Sequence, residues 1–117
     1  MTVKEVYSEV GGNYEDVISR LRTDERVARF LAKVASDGSF VLLEKSFSEK
    51  NTEEAFRAAH TIKGVCMNLS LTKLYDSSAR LTEILRGRTA FGDDLSALFE
   101  EVKKDYLHTV ECINKLN

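Results

Sequence analysis

The sequence predicts an all-α protein, an antiparallel four-helix bundle whose shorter N-terminal helices cap one end. Apolar residues recur at helical spacing along most of the 117 residues, and proline, which interrupts helices, is absent. The helical segments are joined by short turns, and short connections favour antiparallel packing of neighbours. At this length we expect one domain, residues 1–117, with a core of its own.

The N-terminal part of the chain contains two short helical segments. Apolar residues repeat at helical spacing over residues 3–10, and the pattern stops at Gly11-Gly12, a helix stop. Asn13 can then cap a second helix that runs to about Leu21. These are the segments expected to cap the bundle.

The next part of the chain leads to a central helix. A helix begins at Thr23-Asp24 and carries apolar residues to Val34. Ser36-Asp37-Gly38 is a break or a kink, so residues 39–50 form either a separate helix or a continuation of the preceding one. Asn51-Thr52, followed by two glutamates, is a favourable N-terminus for the central helix.

Two helices follow the central one. The central helix is predicted to end near Asn68, and Ser70 is expected to cap the following helix, which stops at Gly87. A loop over residues 88–92 leads to Asp93-Asp94, two acids suited to a helix N-terminus. A long last helix then runs almost to the end of the chain.

The central helix has an apolar and a polar face, and His60 lies on the polar one. At about 100° per residue, a stripe of apolar residues faces away from His60 and must be buried. This stripe consists of Ala55, Ala58, Ala59, Ile62, Val65, Cys66 and Leu69. The residues on the His60 side are Glu53, Phe56, Arg57, Lys63, Gly64 and Met67. We therefore expect His60 to face solvent.

The neighbours of His60 favour phosphoryl chemistry. Lys63 and Gly64 lie one turn further along the same face, where the lysine can offset negative charge beside the imidazole. A mid-helix glycine costs about 1 kcal/mol relative to alanine, and leaving out its side chain lets another molecule approach the ring. Arg57 is either a second phosphate ligand or an ordinary surface cation. Since imidazole is nucleophilic near neutral pH, this set can accept a phosphoryl group.

A family resemblance lies in the segment AHTIKGVCMNLSLTKLYDSSARLTEILRG. It is similar to the signature of the histidine-containing phosphotransfer (HPt) domain, which has a histidine, a lysine three residues on, a glycine next and then an Asn-Leu-Gly-Leu type turn. The matching residues are His60, Lys63, Gly64, Asn68, Leu69 and Leu71. Met67 and Ser70 stand where the family usually has a small residue and a glycine.

The resemblance implies a role for each part of the motif. It implies that His60 is the phosphorylated residue and that Lys63 is its electrostatic helper. It also implies that the partner is a receiver domain, which supplies the aspartate and the Mg²⁺, so we expect no cofactor on this chain.

Three further residues are candidates for contacts around His60. Phe56 and Met67 either form a docking patch for the receiver domain or tuck against a neighbouring helix or the loop. The turn near Ser70 should place His60 level with residues 80–82, where Thr82 either hydrogen-bonds the imidazole or faces solvent.

Composition excludes several other classes. A net charge of −2, evenly spread, does not favour nucleic acid or an anionic membrane as a partner. No apolar run approaches the length of a membrane span, and the N-terminus lacks a signal peptide's apolar core. Cys66 and Cys112 make no disulfide framework, and we expect both to be reduced in the cytoplasm. His108 has no Lys-Gly companion and is interpreted as a surface histidine; no spacing indicates a metal site.

The sequence therefore predicts a stand-alone, monomeric, cytoplasmic HPt protein of a multistep phosphorelay. It would carry a phosphoryl group on His60 between the receiver domains of response regulators or hybrid histidine kinases. Because there is no room for an ATP-binding kinase domain, we expect a carrier without autokinase activity rather than an enzyme. One alternative is a helical docking module for a receiver or kinase domain that passes no phosphate. A second is a structural adaptor in which the His-Lys-Gly set is coincidental.

Overall fold

The computed structural model describes residues 1–117 and contains seven helices and no strands. The helices are α1 (Val3–Val10), α2 (Tyr14–Leu21), α3 (Asp24–Ser36), α4 (Ser39–Ser48), α5 (Thr52–Asn68), α6 (Thr72–Leu85) and α7 (Asp93–Ile113). The all-α prediction is confirmed, and the segment after the break at residues 36–38 forms a separate helix, Ser39–Ser48. None of the seven helices has the length and apolar character needed to cross a membrane.

The helices α4 to α7 form the bundle, and α5 has neighbours on two sides. It packs against α4 on one side and α6 on the other, and α6 in turn packs against α7. The predicted stripe on α5 is buried, except that Val65 is half-buried. Three of its residues are alanines, whose small side chains let the neighbouring helices approach closely. This burial on one side fixes which face of α5 is left for solvent.

Aromatic side chains join α4 to α7. The Phe40 and Tyr106 rings stack with centroids 4.3 Å apart, and Phe47 stacks on Phe99 at 4.5 Å. Phe91, in the loop before α7, meets the Phe47 ring edge-on at 4.8 Å. Such pairs add about 0.5–1.5 kcal/mol each beyond the burial of their area, so this cluster holds α4 and the start of α7 together.

Several helices begin at the side-chain caps that the sequence predicts. Asn13, Thr23 and Asn51 each accept a hydrogen bond from the backbone N–H three residues further on. Such a cap satisfies one of the N–H groups that the first helical turn leaves free. The predicted starts of α2, α3 and α5 are therefore confirmed.

The N-terminal helices attach to the turn between α5 and α6. The Tyr7 hydroxyl donates to the Leu69 carbonyl at 2.7 Å, and the Asn13 N–H donates to the Ser70 carbonyl at 2.9 Å. A Cβ at Gly12 would lie 2.7 Å from the Tyr7 ring and 3.0 Å from the Ser70 carbonyl oxygen. Only glycine fits this approach of the two chain segments.

The prediction that Ser70 caps α6 is wrong. Ser70 has φ 54°, in the left-handed region, and α6 has no side-chain cap. The Ser70 hydroxyl instead donates to Asp16 at 2.5 Å and accepts from Arg20 at 2.8 Å, and Arg20 also donates to the Asn68 carbonyl at 2.6 Å. The left-handed residue reverses the chain after α5, and this points its side chain at α2 rather than at the first turn of α6.

Candidate functional site

His60 lies in the middle of α5 on the side opposite the buried stripe. Its imidazole is exposed, as the helical pattern predicts, and neither ring nitrogen hydrogen-bonds to another part of the chain. Its one aromatic contact is with the Phe56 ring, one turn earlier on the same helix. Both nitrogens are therefore open to a molecule arriving from solvent.

Lys63 lies three residues further on and forms none of the ion pairs of the structure. One acid that senses its charge is Glu83 on α6. A hydrogen bond from Arg86, the charge of Arg86 and then the charge of Lys63 hold the pKa of the Glu83 carboxyl below its usual value. The Lys63 ammonium is thus free to meet an anion held beside His60.

Gly64 leaves open space on the His60 face. A Cβ built at this position would meet no atom within 4 Å outside its own helical turn, so internal packing does not require glycine here. Helical side chains lean toward the N-terminus of their helix. Any side chain at position 64 would therefore lie over the turn that carries His60. The glycine keeps that approach clear.

The two large apolar residues on this face differ in environment. Phe56 is half-buried and packs against the core, while the Arg86 guanidinium lies over its ring, 5.1 Å from the centroid. Met67 is 57% exposed. Phe56 is therefore tucked against the core and the end of α6. Met67 is not tucked in and remains an exposed apolar group.

Arg57 shares the His60 strip, but its charge is engaged elsewhere. Its guanidinium pairs with Glu53 at 3.5 Å and Glu54 at 3.2 Å, both in the first turn of α5. These exposed pairs are individually weak, yet both draw the side chain away from His60. Lys63 is therefore the better placed of the two cations.

Residues 27–111 match the family model of the Hpt domain. The chain belongs to the Hpt domain family. Hpt domains are helical bundles that act as phosphocarrier modules in phosphorelays, are not enzymes in general, and interact with receiver domains. Comparison with curated proteins and with solved structures finds no match.

The matched range of this Hpt domain contains the whole His60 face. It covers α4, α5 and α6, most of α3 and nearly all of α7, whereas α1 and α2 precede it. The two N-terminal helices nevertheless contribute buried residues to the same core, namely Val3, Val6, Tyr7, Val10 and Val17.

The prediction that Thr82 either bonds the imidazole or faces solvent is wrong. Thr82 is fully buried, and its hydroxyl donates to the Ser78 carbonyl at 2.7 Å. It lies on the face of α6 that packs into the bundle, so it cannot contact the exposed imidazole. The α6 residues that approach the His60 face are Glu83 and Arg86 instead.

Glu83 and Arg86 were missed by the sequence reasoning. They are an acid and a base three residues apart, and their side chains form an ion pair at 3.1 Å. The signal was available in this spacing. It could not be assigned to the site, because the rotation of α6 about its own axis was unknown.

Proposed function

We propose that this Hpt domain carries a phosphoryl group on His60 between aspartates of receiver domains. The observation that supports this most is the exposed, unpartnered imidazole beside a free Lys63 ammonium and the open space at Gly64. A structural histidine would have partners within the fold, and its surroundings would be filled.

The transfer needs little from the carrier. Nε2 of neutral His60 attacks the phosphorus of the partner's aspartyl phosphate in line, forming an N–P bond. The O–P bond to the aspartate breaks, and the carboxylate leaves with the electron pair. Nδ1 keeps its proton, so the phosphorylated ring carries a positive charge while the released aspartate carries a negative one. Lys63 stabilises the equatorial oxygens of the transferring group.

The partner completes the reaction. In this proposal the receiver supplies the aspartate and a Mg²⁺ ion, and the chain holds no cofactor of its own. Residues 1–117 act as one monomeric carrier domain in the cytoplasm, where the receivers act. The carrier performs no autophosphorylation and depends on a phosphorylated receiver as its donor.

Met67 is the proposed apolar contact for that receiver. It lies one turn beyond Lys63 on the His60 face and exposes more than half of its surface. Flexible methionine side chains adapt to more than one partner surface, as a carrier that visits two receivers requires. The contact area around one helix face is modest, which suits a transient encounter.

The test is the transfer of labelled phosphoryl from several phosphorylated receiver domains to the wild type, His60→Gln and His108→Gln. We expect an acid-labile, base-stable label on the wild type and on His108→Gln, and none on His60→Gln. Since both histidines are at least partly exposed, neither change should disturb the fold. If no receiver labels the wild type, yet receivers bind it, the chain is a docking module without the chemistry.

A further inference from the structure

The His60 ring is stacked on one other side chain, which the Lys-Gly signature does not include. The Phe56 and His60 centroids are 5.9 Å apart, and their planes differ by 11°. The χ2 rotation of a histidine is normally broad. Because no hydrogen bond within the chain fixes the imidazole, the stack is the contact that limits its rotation.

Phe56 is itself held from two directions. Its ring packs against the hydrophobic core, and the Arg86 guanidinium lies 5.1 Å from its centroid. Arg86 is fixed in turn by its hydrogen bond to the Glu83 carboxylate at 3.1 Å. A carboxylate, a guanidinium and a phenyl ring thus connect α6 to the histidine on α5.

We propose that Phe56, held beneath the Arg86 guanidinium, is a positioning residue that sets the orientation of the His60 imidazole for phosphoryl transfer. This rests on the proposed function. The lone pair of a ring nitrogen lies in the ring plane, so stacking on one face leaves the nucleophilic edge free. Phe56 also lies toward the N-terminus of α5 from His60, on the opposite side from Gly64 and the approach it leaves open.

Orientation matters most when the phosphoryl group is itself fixed. A docked receiver presents its aspartyl phosphate from one direction, so a ring already held at the required angle reacts with less reorganisation. A small donor in solution can approach a rotating ring from any side, and it gains little from the stack. The two kinds of donor should therefore respond differently when the stack is removed.

The experiment compares Phe56→Leu with Phe56→Tyr, which keeps an aromatic ring. NMR measures the chemical shifts of the His60 ring protons, which a stacked phenyl ring moves upfield. Single-turnover transfer from a receiver that labels the wild type gives the rate constant at saturation and the half-saturating concentration. Phosphoramidate, a small donor whose P–N bond breaks to release ammonia, measures intrinsic reactivity.

We expect Phe56→Leu to lose the upfield shift and to lower the rate constant at saturation by about three- to tenfold, the value of an aromatic pair. The half-saturating concentration and the phosphoramidate rate should stay within about twofold, and Phe56→Tyr should resemble the wild type. Arg86→Gln leaves the core untouched and serves as the second variant should Phe56→Leu fail to fold. It should show a smaller loss of rate in the same direction.

Two results would overturn the proposal. One is a folded Phe56→Leu with unchanged His60 shifts and an unchanged rate at saturation. The other is a rise in the half-saturating concentration alone, which would make Phe56 a docking contact. A wild type that no receiver labels would instead defeat the proposed function, and the His60 shifts in Phe56→Leu would still show whether the stack orients the ring.

Discussion

The His60 face and the α5–α6 turn lie ten residues apart on the chain and use polar groups in opposite ways. At the turn, the carbonyls of Asn68, Leu69 and Ser70 each accept a hydrogen bond from the N-terminal helices. On the His60 face, the imidazole and the Lys63 ammonium have no such partner. The first region is closed by the chain itself, and the second is left for another molecule.

This difference separates stability from function. Buried or half-buried polar groups that are satisfied internally hold the fold in one conformation. Groups left without partners contribute little to folding, so changes there should alter transfer and spare stability. Changes at the turn should do the reverse.

The largest expected effect comes from filling the space at Gly64. Gly64→Gln should lower transfer from a receiver by about 100-fold, because a displacement of the reacting groups by about 1 Å costs that much. Its free energy of unfolding should rise by up to about 1 kcal/mol, since glycine is a poor helix former. Single-turnover transfer and urea unfolding measure the two quantities.

Ala97→Gln is the matched control for this prediction. Ala97 is exposed on α7, away from α5, and the change adds the same side chain. Transfer should stay at the wild-type rate. If Gly64→Gln transfers as fast as this control, the open space beside His60 has no role in partner approach.

The next effect compares the two cations that flank His60. Lys63→Gln should reduce the transfer rate constant by about tenfold, which corresponds to about 1.4 kcal/mol of lost charge stabilisation. Arg57→Gln should change it by less than about twofold, because Arg57 is engaged with Glu53 and Glu54. Equal losses in the two variants would contradict the assignment of Lys63.

A smaller effect is expected at the turn. Arg20→Ala removes the hydrogen bonds to the Asn68 carbonyl and the Ser70 hydroxyl, together with the exposed ion pair to Asp16. It should lower the free energy of unfolding by about 1 kcal/mol, the net value of such partly exposed bonds. Transfer below the melting temperature should not change. A loss of transfer in this variant while it is folded would show that the two regions are coupled.

Ser70→Gly sharpens the same comparison. Glycine relieves the left-handed backbone by about 1 kcal/mol but gives up the hydroxyl bonds, so alone the change should be nearly neutral. In the Arg20→Ala background the hydroxyl keeps only its bond to Asp16, so Ser70→Gly should be more favourable there than in the wild type. Thermal unfolding of the four proteins measures this coupling.

The smallest effect is a pH dependence at Asp16. Hydrogen bonds from Ser70 and Arg20 hold the pKa of its carboxyl below the usual value. A lowered folded-state pKa stabilises the protein above the unfolded-state pKa, about 3.9. That contribution is lost as the pH falls through the folded-state pKa. Between about pH 5 and 2, the range in which aspartates titrate, Asp16→Asn should therefore lose less stability than the wild type. Unfolding followed by circular dichroism at each pH measures the difference.

The sequence predicts a structural feature correctly when that feature depends on one helix alone. The exposure of His60 and the burial of Ala58 and Ile62 follow from the periodicity of one helix, and they were predicted correctly. The caps at Asn13 and Asn51 are equally local. Each of these needs only spacing along a single segment.

The errors arise where two segments must be placed together. Thr82 was assigned to the level of His60, but the rotation of α6 turns it into the core and brings Glu83 and Arg86 to the site. Serine is a common cap residue, yet the backbone reversal after α5 turns the Ser70 side chain toward α2, where it hydrogen-bonds Asp16. Neither result can be read from periodicity, because both depend on packing between helices.

The burial of both thiols makes this protein convenient to label. Cys66 and Cys112 are almost inaccessible, and burial raises the pKa of the Cys66 thiol to about 12 and raises that of Cys112 as well. The thiolate is the form that attacks alkylating reagents, so the native cysteines should stay unmodified while the protein is folded. A single cysteine introduced at an exposed position could then carry a fluorophore without replacement of the native cysteines. The arrival and departure of a receiver could be followed in real time.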